Sequence, residues 1–285
     1  MKIFTSKTAL TQEMSKLRQA GQSIGFVPTM GALHQGHLSL LQFANQQNNI
    51  SVVSIFVNPT QFNNPDDLKK YPKTIELDKQ LLEAANCDYV FIPDTKEMYP
   101  ENDLRLFDFG TLATVMEGKY RQGHFNGVGQ IVSKLFDIVS PDRAYFGQKD
   151  FQQVAIIHKL VDLLDYNIEI ISCPIVREDD GLAMSSRNLR LTTELRSRAP
   201  VIYKTLVAAA QFAGILPIAE IKEIIIKRIN IVEGFEVEYL EIVDEKSLIE
   251  PESWGQYKKL VTCIAVFCGE IRLIDNIVFN VLQPK

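Results

Sequence analysis

Ten residues, Pro28-Thr29-Met30-Gly31-Ala32-Leu33-His34-Gln35-Gly36-His37, join an apolar run to an amphipathic one, and this junction constrains the fold more than any other stretch. Upstream, Ser23-Ile24-Gly25-Phe26-Val27 reads as a buried strand; downstream, Leu38, Leu40, Leu41, Phe43 and Ala44 recur at helical spacing. A strand feeding a helix is the repeating unit of an α/β sheet. The first-turn N–H groups of such a helix lack internal partners and carry partial positive charge, so an anion docks there readily. His34 and His37, three residues apart, fall on one side of that turn, where each can donate to a phosphate oxygen without adding a permanent charge. Gly36 between them leaves room for a flat base or ribose against the backbone. The same pair also reads as half of a zinc site, although helical zinc motifs favour i, i+4 spacing and further ligands, or as two surface histidines capping a helix.

Composition limits the partners. The chain has 285 residues, 46% hydrophobic and 23% charged, enough for a large core in one or two domains. Thirty basic against 35 acidic residues give a net charge of −5, so no global basic field draws nucleic acid and a small-molecule substrate is favoured. Met1 to Lys7 has no apolar signal-like core and no run is long enough for a membrane span, so a cytoplasmic protein is expected. Cys87, Cys173, Cys263 and Cys268 form no Cys-x-x-Cys pair and each lies in or beside an apolar segment, which predicts buried free thiols.

Strand-like and helix-like segments alternate through the first two thirds, which predicts a Rossmann-like parallel sheet with helices on both faces. Residues 50–57 read as a second buried strand ending in the polar loop Asn58-Pro59-Thr60-Gln61-Phe62-Asn63-Asn64-Pro65. A helix over 74–85 and a strand over 88–93 follow, then a short edge strand at 104–109 and a helix around 112–117. Lys119 to Gly129 reads as a glycine-rich basic loop before a helix carrying Ile131, Val132, Leu135, Phe136 and Val139. A strand at 143–147, a helix at 151–164 and a strand at 168–173 complete the sheet. After Pro174 the texture changes to helices over 192–212, interrupted at Pro200, and 218–229, then strands over 235–243, 259–267 and 271–281 with a turn at Gly269-Glu270. The expected domains are residues 1–175 and a smaller α+β domain, 176–285.

Two further stretches bear chemistry. Gly147-Gln148-Lys149-Asp150 again joins strand to helix, and Lys149 places a flexible ammonium at the carboxyl edge of the sheet, although Asp150 also suits a plain N-cap. Asp179 to Asn188 contains Met184-Ser185-Ser186-Arg187, where two hydroxyls and a guanidinium beside a glycine-bearing loop suit a polyphosphate whose charge changes during reaction.

The His-x-x-His junction followed by a Met-Ser-Ser-Arg loop resembles the paired signatures of the nucleotidyltransferase superfamily. Within it, Val27 to His34, Phe56 to Phe62, Tyr71-Pro72-Lys73-Thr74, Gly123-His124-Phe125, Gly147 to Asp150 and Asp180 to Asn188 resemble, in order and spacing, the pantothenate synthetase family. The resemblance covers residues 20 to 190. It implies an ATP- and Mg²⁺-dependent ligase that joins pantoate to β-alanine through an enzyme-bound pantoyl adenylate, releasing AMP and pyrophosphate, in a cytoplasmic homodimer whose C-terminal domain acts as a lid.

Carried over by motif position, the resemblance assigns Met30, Gly31, Ala32, Leu33, His34, Gln35, Gly36 and His37 to ATP, with His34 and His37 donating to phosphates and His37 bearing the family's proton-donor label. Gly147, Gln148, Lys149, Asp150, Met184, Ser185, Ser186 and Arg187 also fall to ATP, and Val176 to the adenine through its backbone. Lys149, Ser185, Ser186 and Arg187 join the histidines as catalytic candidates, with most of the charge stabilisation on Lys149 and Arg187. Gln61 and Gln153 would hold pantoate, Gln61 also facing β-alanine, and Asp78 is the implied protein ligand of Mg²⁺. Gln148 stands where many relatives carry glutamate, which alters local charge alone.

Overall fold

The computed structural model describes residues 1–279, which divide into two compact units. The first comprises residues 1–113, 117–148 and 153–174; the second comprises 114–116, 149–152 and the chain from 175 onward.

Six strands form the sheet of the first unit: β1 (Lys2–Phe4), β2 (Ile24–Thr29), β3 (Ile50–Ile55), β4 (Tyr89–Phe91), β5 (Arg143–Gly147) and β6 (Glu169–Cys173). Their order is β1-β4-β3-β2-β5-β6 and every pair is parallel. The helices are α1 (Lys7–Gln19), α2 (Gln35–Gln47), α3 (Pro65–Lys69), α4 (Ile75–Ala84), α5 (Thr95–Met98), α6 (Met116–Tyr120), α7 (His124–Val139) and α8 (Phe151–Leu163).

Side-chain alternation explains the layers. Phe26, Val52, Phe91 and Ala144 pack with Leu10, Met14, Phe136 and Leu160 of α1, α7 and α8, whereas their neighbours Val27, Val53, Val90 and Tyr145 pack with Leu40, Leu41 and Leu82 of α2 and α4. Both faces of every central strand are therefore apolar, and helices cover both, as the periodicity predicts. From β2 the chain winds through β3 and β4 in one direction, then returns to β5 and β6 in the other, so the winding reverses between β2 and β5. In such sheets a crevice opens outside the carboxyl ends of the strands at the reversal.

Pro28 marks that opening. Ile24 O accepts the Asp142 amide, so the even-numbered residues of β2 face β5, yet the two strands pair only at Gly25 with Arg143 and Phe26 with Ala144. Pro28 faces the same side beyond the last pair, where its missing N–H removes no ladder bond.

Three expectations are corrected. Residues 104–109 form no strand: α7 satisfies their backbone with side chains, Asn126 Oδ1 accepting the Phe107 amide at 2.9 Å and Gln130 Nε2 donating to the carbonyls of Asp103 and Arg105 at 2.9 Å each. His124 to Gly129 are helical rather than loop, because α7 begins at His124 after Gly123, whose φ is +77°. The glycines there serve close approach: a Cβ on Gly127 would lie 2.4 Å from the Thr60 carbonyl oxygen. Residues 112–117 divide between a 3₁₀ turn (Gly110–Ala113) and α6. β1 and α1 have no counterpart in the sequence reading, since α1 buries only Leu10 and Met14 and leaves a thin apolar stripe.

In the second unit α9 (Thr193–Arg198), α10 (Val201–Ala210) and α11 (Ile218–Asn230) accompany an antiparallel sheet of β7 (Phe235–Asp244), β8 (Leu260–Cys268) and β9 (Ile271–Phe279) in that order. Pro200 separates α9 from α10, as its lost N–H dictates. Their shared core includes Ile202, Leu206, Ile225, Ile229, Ile264 and Phe279, all at most 2% exposed. Residues 280 and 281 of the expected last strand lie outside the described residues. All four cysteines are free and buried.

Candidate active site

The chain leaves β2 at Thr29, whose hydroxyl donates to Ser54 O at 2.7 Å and accepts the Gly31 amide at 3.2 Å. Gly31 and Ala32 then take positive φ, +81° and +49°, turning the backbone back toward the sheet. Asp78, fully buried in the first turn of α4, holds this turn: its Oδ2 accepts the Ala32 amide at 3.0 Å and its Oδ1 the Leu33 amide at 2.9 Å. Thr74 Oγ1 donates to Oδ1 at 3.0 Å. The Met30 to Leu33 loop is thus clamped from a helix more than forty positions away in sequence.

α2 opens with an unusual cap. His34 is the N-cap, with φ −141° and ψ 176°, and its Nδ1 accepts the Gly36 amide at 3.1 Å. His37 Nδ1 accepts the His34 amide at 3.3 Å in return, which makes a capping box of two imidazoles. The rings lie 4.1 Å apart between centroids, inclined at 46°. Both side chains are half-buried. Because each Nδ1 accepts, the proton of each neutral ring resides on Nε2, which makes that nitrogen the donor. Of the two roles open in the sequence, the helix cap uses Nδ1 of both rings, so a phosphate-donor role would fall to Nε2.

Gln61 lies beside this loop, 8% exposed. Its Nε2 points to Met30 Sδ at 3.0 Å, and Asn58 Nδ2 donates to its Oε1 at 3.2 Å. Its own carbonyl faces His124 Nδ1 at 2.8 Å and accepts from Arg121 Nη2 at 3.4 Å. Asn58 Nδ2 also donates to Gly127 O at 3.1 Å, and Tyr99 OH donates to Asn58 Oδ1 at 2.8 Å. Asn58 and His124 lie in the motifs and Arg121 in the basic loop beside them, but none of the three carries an assigned role in the sequence reading. Gly147 ends β5, Gln148 begins a 3₁₀ turn, and Gln153 is half-buried on α8.

The remaining predicted residues belong to the second unit. Lys149 and Asp150 complete the 3₁₀ turn that runs directly into α8, with Asp150 immediately before the first residue of the helix. Lys149 Nζ lies 3.4 Å from Asp150 Oδ2, and the Lys149 carbonyl accepts from Asn276 Nδ2 at 3.0 Å. Val176 O accepts the Met184 amide at 3.0 Å, Arg177 bridges Ala183, and Gly181 turns the chain at φ +97°. At the exit of this small hairpin Ser185 caps a 3₁₀ turn, its Oγ accepting the Arg187 amide at 3.2 Å. Ser186 is buried, and Asn188 Nδ2 ties the turn to Ala183 O at 3.0 Å. The Arg196 guanidinium, 2.5 Å from Asp180, holds that carboxyl below its ordinary range.

Asp78, to which the resemblance assigns Mg²⁺, engages both oxygens in protein hydrogen bonds and is fully buried, and in this structure it holds the backbone of the turn. Among the described residues no group of three His, Cys, Asp or Glu is arranged to hold a metal.

The family model described as Pantoate-beta-alanine ligase matches residues 2–278. The chain belongs to this family. Within the pantoate-β-alanine ligase family, it is 51% identical to the pantothenate synthetase of Bacteroides fragilis (strain YCH46), covering 98% of this chain and 99% of that one. The Porphyromonas gingivalis W83 pantothenate synthetase is 49% identical over 98% of this chain and 100% of its own length. Among solved structures, pantothenate synthetase from Thermus thermophilus superposes with a TM-score of 0.92 at 38% identity, covering 99% of this chain and 100% of that one. The Francisella tularensis pantoate-beta-alanine ligase, solved in complex with beta-gamma ATP and beta-alanine, gives 0.83 at 36% identity with full coverage of both chains.

Proposed function

We propose that this ligase joins pantoate to β-alanine with ATP, forming a pantoyl adenylate and releasing pyrophosphate, then AMP. The observation that carries this reading is the imidazole capping box at the start of α2, with Nε2 the donor nitrogen of both rings, at the reversal point of a parallel sheet.

Pantoate's carboxylate is a poor electrophile. Its oxygen attacks the α-phosphorus of ATP, the bond to the bridging oxygen breaks, and negative charge grows on the departing pyrophosphate. Groups that stabilise this charge strengthen as the reaction proceeds, which is where catalytic advantage arises. His34 and His37 donate from Nε2, and Lys149, Ser185, Ser186 and Arg187 contribute an ammonium, two hydroxyls and a guanidinium. We assign the Met30 to His37 and Gly147 to Asp150 backbones, Met184 and Val176 to ATP contact. The neutral amides of Gln61 and Gln153 bind the oxygens of pantoate, and Gln61 also orients β-alanine. In the second step the free amine attacks the acyl carbon, the nitrogen gives up a proton, and AMP departs as the carbon–oxygen bond breaks.

Mg²⁺, when bound, would be held mainly through the phosphates of ATP and water and would supply positive charge there, while we assign Asp78 to clamping the Ala32-Leu33 turn. Among the described residues no helix is long and apolar enough to cross a membrane. We assign the enzyme to the cytoplasm as a homodimer on the strength of its family resemblance, with no nucleic-acid partner on account of its net charge of −5.

The test is isotope exchange between pyrophosphate and ATP. Exchange that depends on pantoate, with AMP released only after β-alanine is added, is expected; exchange with another acid, or with none, contradicts the reading.

A further inference from the structure

We propose that Asp275 and Asn276, adjacent on β9, are positioning residues that hold the two phosphate-contact stations of the second unit, the Lys149 turn and the hairpin leading to Ser185-Ser186-Arg187. The inference rests on the assignment of those stations to ATP.

Alternation along β9 places Ile271, Leu273, Asp275 and Phe279 on the face that packs into the core, so a carboxylate occupies a position built for an apolar side chain. A buried charge is tolerated only with partners. Arg177 supplies them in a fork: Nη1 to Oδ2 at 2.7 Å and Nη2 to Oδ1 at 2.9 Å. Burial pushes the Asp275 carboxyl upward from its ordinary range, opposed by the Arg177 guanidinium and, more weakly, by the charge of Lys149.

Arg177 is itself fixed on four sides. It lies 3.7 Å above the Tyr203 ring, donates from Nη1 to Gly181 O at 3.1 Å across the hairpin, and donates from Nη2 to Asn276 O at 3.3 Å. Tyr203 also seals the turn, since a Cβ on Gly181 would lie 2.7 Å from its ring. The hairpin that presents Ser185 is therefore anchored on Asp275. On the opposite face of β9, Asn276 is 5% exposed and donates to the Lys149 carbonyl at 3.0 Å. Its backbone N–H donates to Asp275 Oδ1 at 2.7 Å, which joins the two anchors. One dipeptide thus reaches both stations, 127 and 98 positions back along the chain.

A buried pair that served stability alone could be replaced by apolar residues without functional effect, because such replacements are commonly neutral or stabilising. A positioning pair could not. The test uses Asn276→Ala and the double replacement Asp275→Leu with Arg177→Met in the full-length enzyme. Both are expected to remain folded, with a melting temperature lowered by the carbonyls of Lys149, Gly181 and Asn276 that lose their donors, while kcat of pantoate-dependent exchange falls about tenfold or more, with KM for pantoate nearly unchanged. In a Lys149→Ala background, Asn276→Ala should add no further loss, because the two act as a unit. Asn276→Ser serves if the alanine variant does not fold. The labelling rate of Lys149 by an amine reagent, followed by peptide mass spectrometry, requires no turnover and should rise in Asn276→Ala. That readout separates the relay from the assigned reaction: absent exchange in the wild type with accelerated labelling in the variant rejects the reaction alone. Wild-type kcat in both replacements, independent losses for Asn276 and Lys149, or unchanged labelling overturns the positioning role.

Discussion

Asp78 Oδ1 accepts the amide of Leu33 at 2.9 Å, which makes a buried carboxylate on α4 the clamp for the loop that leads into α2. Its other oxygen takes Ala32, and Thr74 completes the set. A motif conspicuous for its histidines thus owes its shape to an acid far along the chain.

Asp78→Asn tests the clamp. The variant turns an NH₂ toward one of the backbone amides and leaves a buried donor unsatisfied, so a loss of about 2 kcal/mol in urea unfolding is expected. The Mg²⁺ concentration giving half-maximal activity should be unchanged in the protein that remains folded. A marked shift in that titration would return Asp78 to the metal.

The nitrogens of His37 can be separated by substitution. Asparagine places an acceptor near the Nδ1 position and preserves the bond to the His34 amide, whereas glutamine reaches the Nε2 position. His37→Asn should fold normally yet lose about 100-fold in exchange rate. His37→Gln should lose less activity and more stability. Steady-state exchange and thermal melting, read together, decide it.

Gly127→Ala probes the packing behind Gln61. The new Cβ would meet the Thr60 carbonyl oxygen at 2.4 Å and the Gln61 amide nitrogen at 2.9 Å, and backbone atoms cannot rotate away. The loop carrying Asn58 and Gln61 must shift, so KM for pantoate should rise by about tenfold or more, with a smaller change in KM for ATP. Equal changes for both substrates would show that the loop does not act on pantoate.

Thiol titration sets the alkaline limit. Burial raises Cys87 and Cys268 from 9.0 to about 12, and Cys173 to about 11. The folded chain therefore keeps protons that the unfolded chain releases, and the associated stability is complete below pH 9, then declines as pH rises toward 11 and 12. The slope is at most about 1.4 kcal/mol per pH unit for each thiol. Urea midpoints across this range should fall steadily, and a thiol reagent at pH 8 should label these cysteines only after denaturant is added.

What local pattern could encode was readable in the chain. Alternating apolar runs of strand length and amphipathic helical spacing determined a parallel sheet covered on both faces, because burial of a strand and of a helix stripe each leave a period in the sequence. The same reading singled out His34, His37, Lys149 and the Ser185 to Arg187 loop as candidates, since each lies at a junction or loop beside recognisable elements, whereas Gln61 is assigned by resemblance to the family alone. Pattern failed wherever a backbone found its partner in a distant side chain: residues 104–109 look like a strand until Asn126 and Gln130 replace the neighbouring strand.

Tertiary structure alone decided how those residues are held. Nothing local to Asp78 distinguishes a metal ligand from a clamp on Ala32 and Leu33, and nothing local to Asp275-Asn276 points to Arg177 or Lys149. A hydrogen bond depends on distance in space, and only folding brings residues 46, 98 or 127 positions apart to within 3 Å.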